Sequence, residues 1–80
     1  MKAISYTVLA TRQLRHLPKD VRERVIEKLH RYAETGADDV KVLTGQPGAR
    51  LRIGDYRAIF VETADTVSVR AVGHRRDIYE

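Results

Sequence analysis

The sequence predicts an α+β fold: an N-terminal strand, a helical hairpin, then a three-stranded antiparallel meander, with the sheet twisted and the helices packed on one face. Three observations carry that expectation. Apolar and polar residues alternate near the N-terminus and again in three segments after residue 48. Between them runs an apolar stripe at helical spacing. Short turns containing Gly or Asp separate the last three segments.

Residues 2–9 supply the first strand. Ile4, Tyr6 and Val8 fall on one side, with Ser5 and Thr7 on the other, and such β-branched and aromatic residues suit a half-buried strand. Thr11 is placed to cap a short helix holding Leu14 and Leu17, and Pro18 interrupts it. From 19 to 35, Val21, Val25, Ile26, Leu29, Tyr32 and Ala33 form one apolar stripe. Arg22, Glu23, Glu27, Lys28 and Arg31 occupy the opposite, solvated face, and Gly36 is a natural stop. His30, beside Leu29, is expected to be structural. Residues 37–48 lack clear periodicity, and Gly45, Pro47 and Gly48 mark a loop.

The meander follows. Ala49–Ile53 alternates, Gly54–Asp55 turns, Tyr56–Glu62 returns, Thr63–Asp65 turns again, and residues 66–73 form the last strand. A tail, His74-Arg75-Arg76-Asp77-Ile78-Tyr79-Glu80, ends the chain.

Period two then sorts the side chains. If Leu51, Ile53, Tyr56, Ala58, Phe60, Val67, Val69 and Ala71 face the helices, the other surface collects Arg50, Arg52, Arg57, Arg70 and His74, followed by Arg75, Arg76 and Tyr79. Ile59, Val61 and Val72 share that outer surface, where the tail or a partner would cover them. Between residues 49 and 76 every Lys or Arg is Arg. Arginine's planar donor fork holds a phosphate bidentately and stacks on bases, which a lysine added for solubility would not do. The face is open to two readings, a plain solvated sheet face and a phosphate or RNA surface.

Composition sets the outer limits. Eighty residues make one domain, expected to span 1–80, with a thin core whose stability a partner would raise. Fifteen Lys and Arg against eleven Asp and Glu give +4, suited to nucleic acid or an acidic protein. The absence of cysteine excludes disulfide and thiolate chemistry and fits a reducing cytoplasm. The first residues do not resemble a secretory signal, and no apolar run would span a membrane. His16, His30 and His74 lack metal-ligand spacing, the glycines lack a phosphate-loop lysine, and no paired carboxylates recommend a metal nuclease. No cofactor or metal is expected.

The segment Leu51-Arg52-Ile53-Gly54-Asp55-Tyr56-Arg57-Ala58-Ile59-Phe60, followed by Val69-Arg70-Ala71-Val72-Gly73-His74-Arg75-Arg76-Asp77-Ile78-Tyr79, resembles the RelE/ParE superfamily of type II toxin–antitoxin toxins. Leu14-Arg15-His16-Leu17-Pro18 with the long helix after it, and Lys41-Val42-Leu43-Thr44-Gly45, resemble it as well. The likeness covers nearly the whole chain. Its hairpin and ending are fairly specific for the superfamily and separate its branches less well.

The resemblance implies neutralisation by a cognate antitoxin. For RelE-like members it implies ribosome-dependent, metal-independent mRNA cleavage that inhibits translation. It places catalytic roles on Arg52, Arg57, Arg75 and Tyr79 and sets Arg50 on a flanking phosphate; the outer face read from the strand pattern adds Arg70, His74 and Arg76 as RNA-binding residues and Ile59, Val61 and Val72 as antitoxin contacts. Active relatives often carry lysine at the positions of Arg50 and Arg52; with arginine there, His74 is a candidate proton donor. The alternative implied by the same superfamily is a ParE-like, non-enzymatic poison of DNA gyrase; a third is an inactive relative.

Overall fold

The computed structural model describes residues 1–78. Strand β1 (Ala3–Tyr6) turns Ile4 and Tyr6 toward the core and ends earlier than the alternation suggests. Thr7, extended at ψ 165°, accepts a hydrogen bond from Ala10 N–H at 3.1 Å and so caps helix α1 (Val8–His16). The cap is thus Thr7 and not Thr11. Val8 and Leu9 belong to the first turn of the helix and are exposed. Helix α2 (Lys19–Thr35) starts after Pro18 and stops where Gly36 adopts φ 70° and donates its N–H to Tyr32 O. Its apolar stripe buries Val21, Val25, Leu29 and Ala33.

Four strands follow rather than three. Val40–Val42 forms β2, ahead of β3 (Ala49–Ile53), β4 (Tyr56–Glu62) and β5 (Thr66–His74). The sheet order is β1-β5-β4-β3-β2, antiparallel except for the parallel pair of β1 with β5. Three residues are too few to reveal a period, so β2 reads as loop in the sequence; it exists because β3 offers it a ladder. Gly48, at φ 112°, lets the loop after β2 press on β4, where an added Cβ would lie 2.7 Å from Phe60 O.

One apolar cluster joins both helices to one face of the sheet. Leu51, Ile53, Ala58, Phe60, Val67, Val69 and Val72 meet Ala10, Leu14, Val25 and Leu29 there. β1 stops pairing at Tyr6, opposite Val69. Beyond that point α1 takes over, and Gln13 Oε1 accepts the Val72 N–H at 2.7 Å.

A β-bulge changes the reading of β5. Ile59 pairs with Ala71 and Phe60 with Val69, leaving Arg70 as the extra residue. One extra residue reverses the alternation. Val67 and Val69 face in as expected, but past the bulge Val72 also faces in, 1% exposed. The inward place given to Ala71 and the outward places given to Val72 and His74 are corrected by this single irregularity.

Candidate nucleic-acid interface

The helix-free face of the sheet is ordered by cross-strand pairs. Arg52 lies opposite Arg57, Arg50 opposite Ile59, and Arg57 opposite Gly73. Residues directly opposite in antiparallel strands point to the same side. Arg50, Arg52 and Arg57 therefore share the outer face at the hairpin end of β3 and β4. Lys41 joins them, because β2 places it opposite Arg50. Its position was not visible without β2; the only trace in the sequence is the three-residue alternation Val40-Lys41-Val42.

Arg57 is the fixed centre of this group. The hairpin turns through Gly54 at φ 57°. Arg57 Nη1 donates to Gly54 O at 2.7 Å and to Tyr56 O at 2.8 Å. Partial burial, and then the charges of Arg52, Arg50 and Arg75, hold the Arg57 pKa below the usual arginine range, with Asp55 opposing. Three guanidinium groups are thus near enough to act on that of Arg57. An arginine does not relieve such repulsion by losing its proton. An anion set among the four would relieve it, with donor forks suited to phosphate oxygens.

Arg75 reaches the group from the tail. Its N–H donates to Asp55 O at 2.8 Å, and its Nε lies 3.8 Å from Asp55 Oδ1. Arg52 Nε stands at 3.9 Å from Asp39 Oδ2. Both ion pairs are long and exposed, so they are weak interactions that a phosphate can displace. Asp55 and Asp39 are acidic neighbours that reading the arginines alone missed.

Other expected residues fall elsewhere. Arg70 is exposed on the bulge, with Nε donating to Ser68 Oγ at 3.2 Å, and is not among the charges acting on Arg57. His74 turns to the helix side, its ring 5.3 Å from Tyr56 in an edge-on contact. Arg76 is exposed in the tail turn, where its N–H donates to His74 Nδ1 at 3.2 Å. Ile59 and Val61 are half-buried on the outer face, while Val72 lies on the core side and is not part of that face. Ile78 folds back over Gly73. Tyr79 lies outside the described residues. Among the described residues no group of three or more His, Asp or Glu could hold a metal. None of the helices is long and apolar enough to cross a membrane.

Comparison with known proteins fixes the class. Residues 4–79 match the family described as the ParE toxin of the type II toxin–antitoxin system parDE, so this chain belongs to that toxin family. Its fold is that of RelE toxins. It superimposes on the RelB–RelE antitoxin–toxin complex of Methanococcus jannaschii with TM-score 0.77, at 25% identity over 94% of each chain. The RelBE2 toxin–antitoxin complex of Mycobacterium tuberculosis matches with TM-score 0.82, at 24% identity over 92% of this chain and 98% of that one. The isolated RelE toxin of E. coli matches with TM-score 0.79, at 23% identity over 92% of this chain and 84% of that one. Curated protein sequences give no match.

Proposed function

We propose that this toxin is RelE-like in action: a metal-independent endoribonuclease that cuts mRNA on the ribosome and is held inactive by a cognate antitoxin. The observation that carries the reading is the crowding of Arg50, Arg52 and Arg75 around the pinned guanidinium of Arg57. In the proposed reaction the ribose 2′-oxygen attacks the adjacent phosphorus. The bond to the 5′-oxygen breaks and that oxygen takes a proton from water, leaving a 2′,3′-cyclic phosphate and a 5′-hydroxyl. Negative charge builds on the nonbridging oxygens, and donors already in place stabilise it without reorganising. Arg57 and Arg75 take that role, while Arg52 and Arg50 hold the flanking phosphates. Tyr79, next to Ile78 in the chain, is the candidate to take the 2′-proton or to stack on a base. The same face, with Ile59 and Val61 between arginines, suits an antitoxin segment that is both acidic and apolar.

The test is expression of the chain alone with transcript mapping, for the wild type and for Arg57→Ala with Arg75→Ala. The wild type is expected to arrest growth and leave cuts in ribosome-bound messages; the folded double variant is expected to do neither. Persistent toxicity in that variant would remove the assigned site. A second reading, a non-enzymatic poison of DNA gyrase, is favoured by the parDE description of the matched family. Gyrase-linked DNA breaks with intact transcripts would select it.

A further inference from the structure

Behind the arginine face, on the helix side of the sheet, lies a cleft of about 460 Å³ between the end of α1 and the end of β5. That is a volume typical of small-ligand sites. Leu17, Val72 and Ile78 give it apolar walls, and Tyr56 and His74 add rings held edge to face. Arg12, His16 and Asp77 supply polar groups.

The two histidines are polarised in opposite senses. His16 Nδ1 stands 2.8 Å from Arg12 O, which can only accept, so Nδ1 carries a proton, and in the imidazole form Nε2 is an acceptor. His74 Nδ1 accepts the Arg76 N–H at 3.2 Å, so its proton sits on Nε2, which is a donor. The cleft therefore joins aromatic and apolar walls to one imidazole acceptor and one imidazole donor. A flat heteroaromatic ring carrying a donor and an acceptor along one edge matches that set. An aliphatic or phenyl side chain from a protein partner would leave both histidines unsatisfied.

The cleft also abuts the phosphate-binding face. Gly73 and His74 line it; Gly73 also lies opposite Arg57, and Arg75, next in the chain, is one of the charges acting on Arg57. Successive strand residues point to opposite sides, so the cleft and the arginines meet at the end of β5. We infer that this cleft is a nucleobase site, which takes one base of an RNA whose phosphate lies on the arginines. The inference rests on the RNA reading above, and it adds a specificity element made by α1 and β5. Single-stranded RNA is commonly recognised in this way, with a splayed base read on its edge.

Nuclear magnetic resonance titrations separate the two claims. Adenosine and cytidine, which lack phosphate, should shift the amides of His16, Leu17 and His74 saturably. Ribose 5-phosphate should shift those of Arg52, Arg57 and Arg75. His16→Leu should weaken nucleoside binding about tenfold, the loss of one good hydrogen bond, and leave ribose 5-phosphate binding unchanged. If nucleosides leave the cleft undisturbed while ribose 5-phosphate binds, the base site is wrong and the phosphate face stands. If nucleosides bind and ribose 5-phosphate does not, the arginine reading fails. Toluene binding as well as adenosine, with His16→Leu without effect on either, would mark a plain apolar slot for a protein side chain and overturn the base site.

Discussion

The two ends of the sheet treat charge in opposite ways. At the far end of β4, Glu62 is clasped by Lys2 Nζ at 2.6 Å and by the Tyr32 hydroxyl at 2.7 Å. Lys2 Nζ also donates to Thr63 O at 2.7 Å. Both charges of that pair are held at short range. At the hairpin end, three guanidinium groups bear on that of Arg57, and the ion pairs from Arg52 to Asp39 and from Arg75 to Asp55 span 3.9 and 3.8 Å. The first arrangement ties the N-terminus, α2 and β4 together. The second costs stability, because like charges directly opposite on a ladder repel. The difference separates charges that serve the fold from charges that, under the proposed function, serve a ligand.

Breaking the hairpin end should have the largest effect. Arg57→Ala with Arg75→Ala is expected to lower affinity for a short single-stranded RNA about 100-fold. The salt dependence should become shallower by about 0.7 log units per log unit of salt for each phosphate that the variant no longer holds. Thermal stability should not fall. A fluorescence anisotropy series at several salt concentrations checks this, and unchanged affinity would erase the functional half of the contrast.

Breaking the other end should do the reverse. Glu62→Ala is expected to cost about 1–2 kcal/mol of stability in a urea titration, since two hydrogen-bonded partners are stranded at a half-exposed site. RNA affinity should not move.

The same triad predicts two pH windows. Hydrogen bonds from Lys2 and then Tyr32 hold the Glu62 carboxyl below its usual 4.5. A depressed folded pKa gives stability that is present above 4.5 and lost as pH falls below it. For Tyr32, burial and the nearby Glu62 push the hydroxyl from 10 up to about 12. A raised folded pKa gives stability that is complete below 10 and lost as pH rises from 10 to 12. Tyr32→Phe should shrink the alkaline limb, leaving the part due to Tyr6, which burial also raises, and Glu62→Gln should shrink the acid one, leaving the part due to Asp38, whose carboxyl is also held low. Melting curves across pH test both, and an alkaline limb undiminished in Tyr32→Phe would assign it to another group.

The smallest effect sharpens the comparison from the opposite side. Arg52→Thr removes one of two facing charges and should raise stability by about 0.2–1 kcal/mol while weakening RNA binding. A loss of stability would mean that Arg52 serves the fold through Asp39 after all.

Much of this was legible along the chain. The stripe from Val21 to Ala33 located α2, and the turn at Gly54–Asp55 fixed the register that sets Arg52 opposite Arg57. The motifs at Gly54–Arg57 and around Gly73–Arg76 pointed to the toxin superfamily that the match over residues 4–79 establishes. Three things were not legible. Strand β2 is too short to show a period, so Lys41 was missed. Thr7 reads as a strand residue and Thr11 as the cap, because where β1 ends is not marked in the alternation. The bulge at Arg70 reverses β5, sending Val72 into the core and His74 into the cleft with His16.

Local pattern, then, was sufficient to set the order of the elements, the inward face of each regular stretch and the presence of an arginine-rich surface, because a period of two or 3.6 is a property of neighbours in the chain. Which arginines crowd around Arg57, which acids oppose them and where His74 points were settled only in three dimensions. Those outcomes depend on partners dozens of residues away and on one extra residue in a ladder, neither of which leaves a period to read.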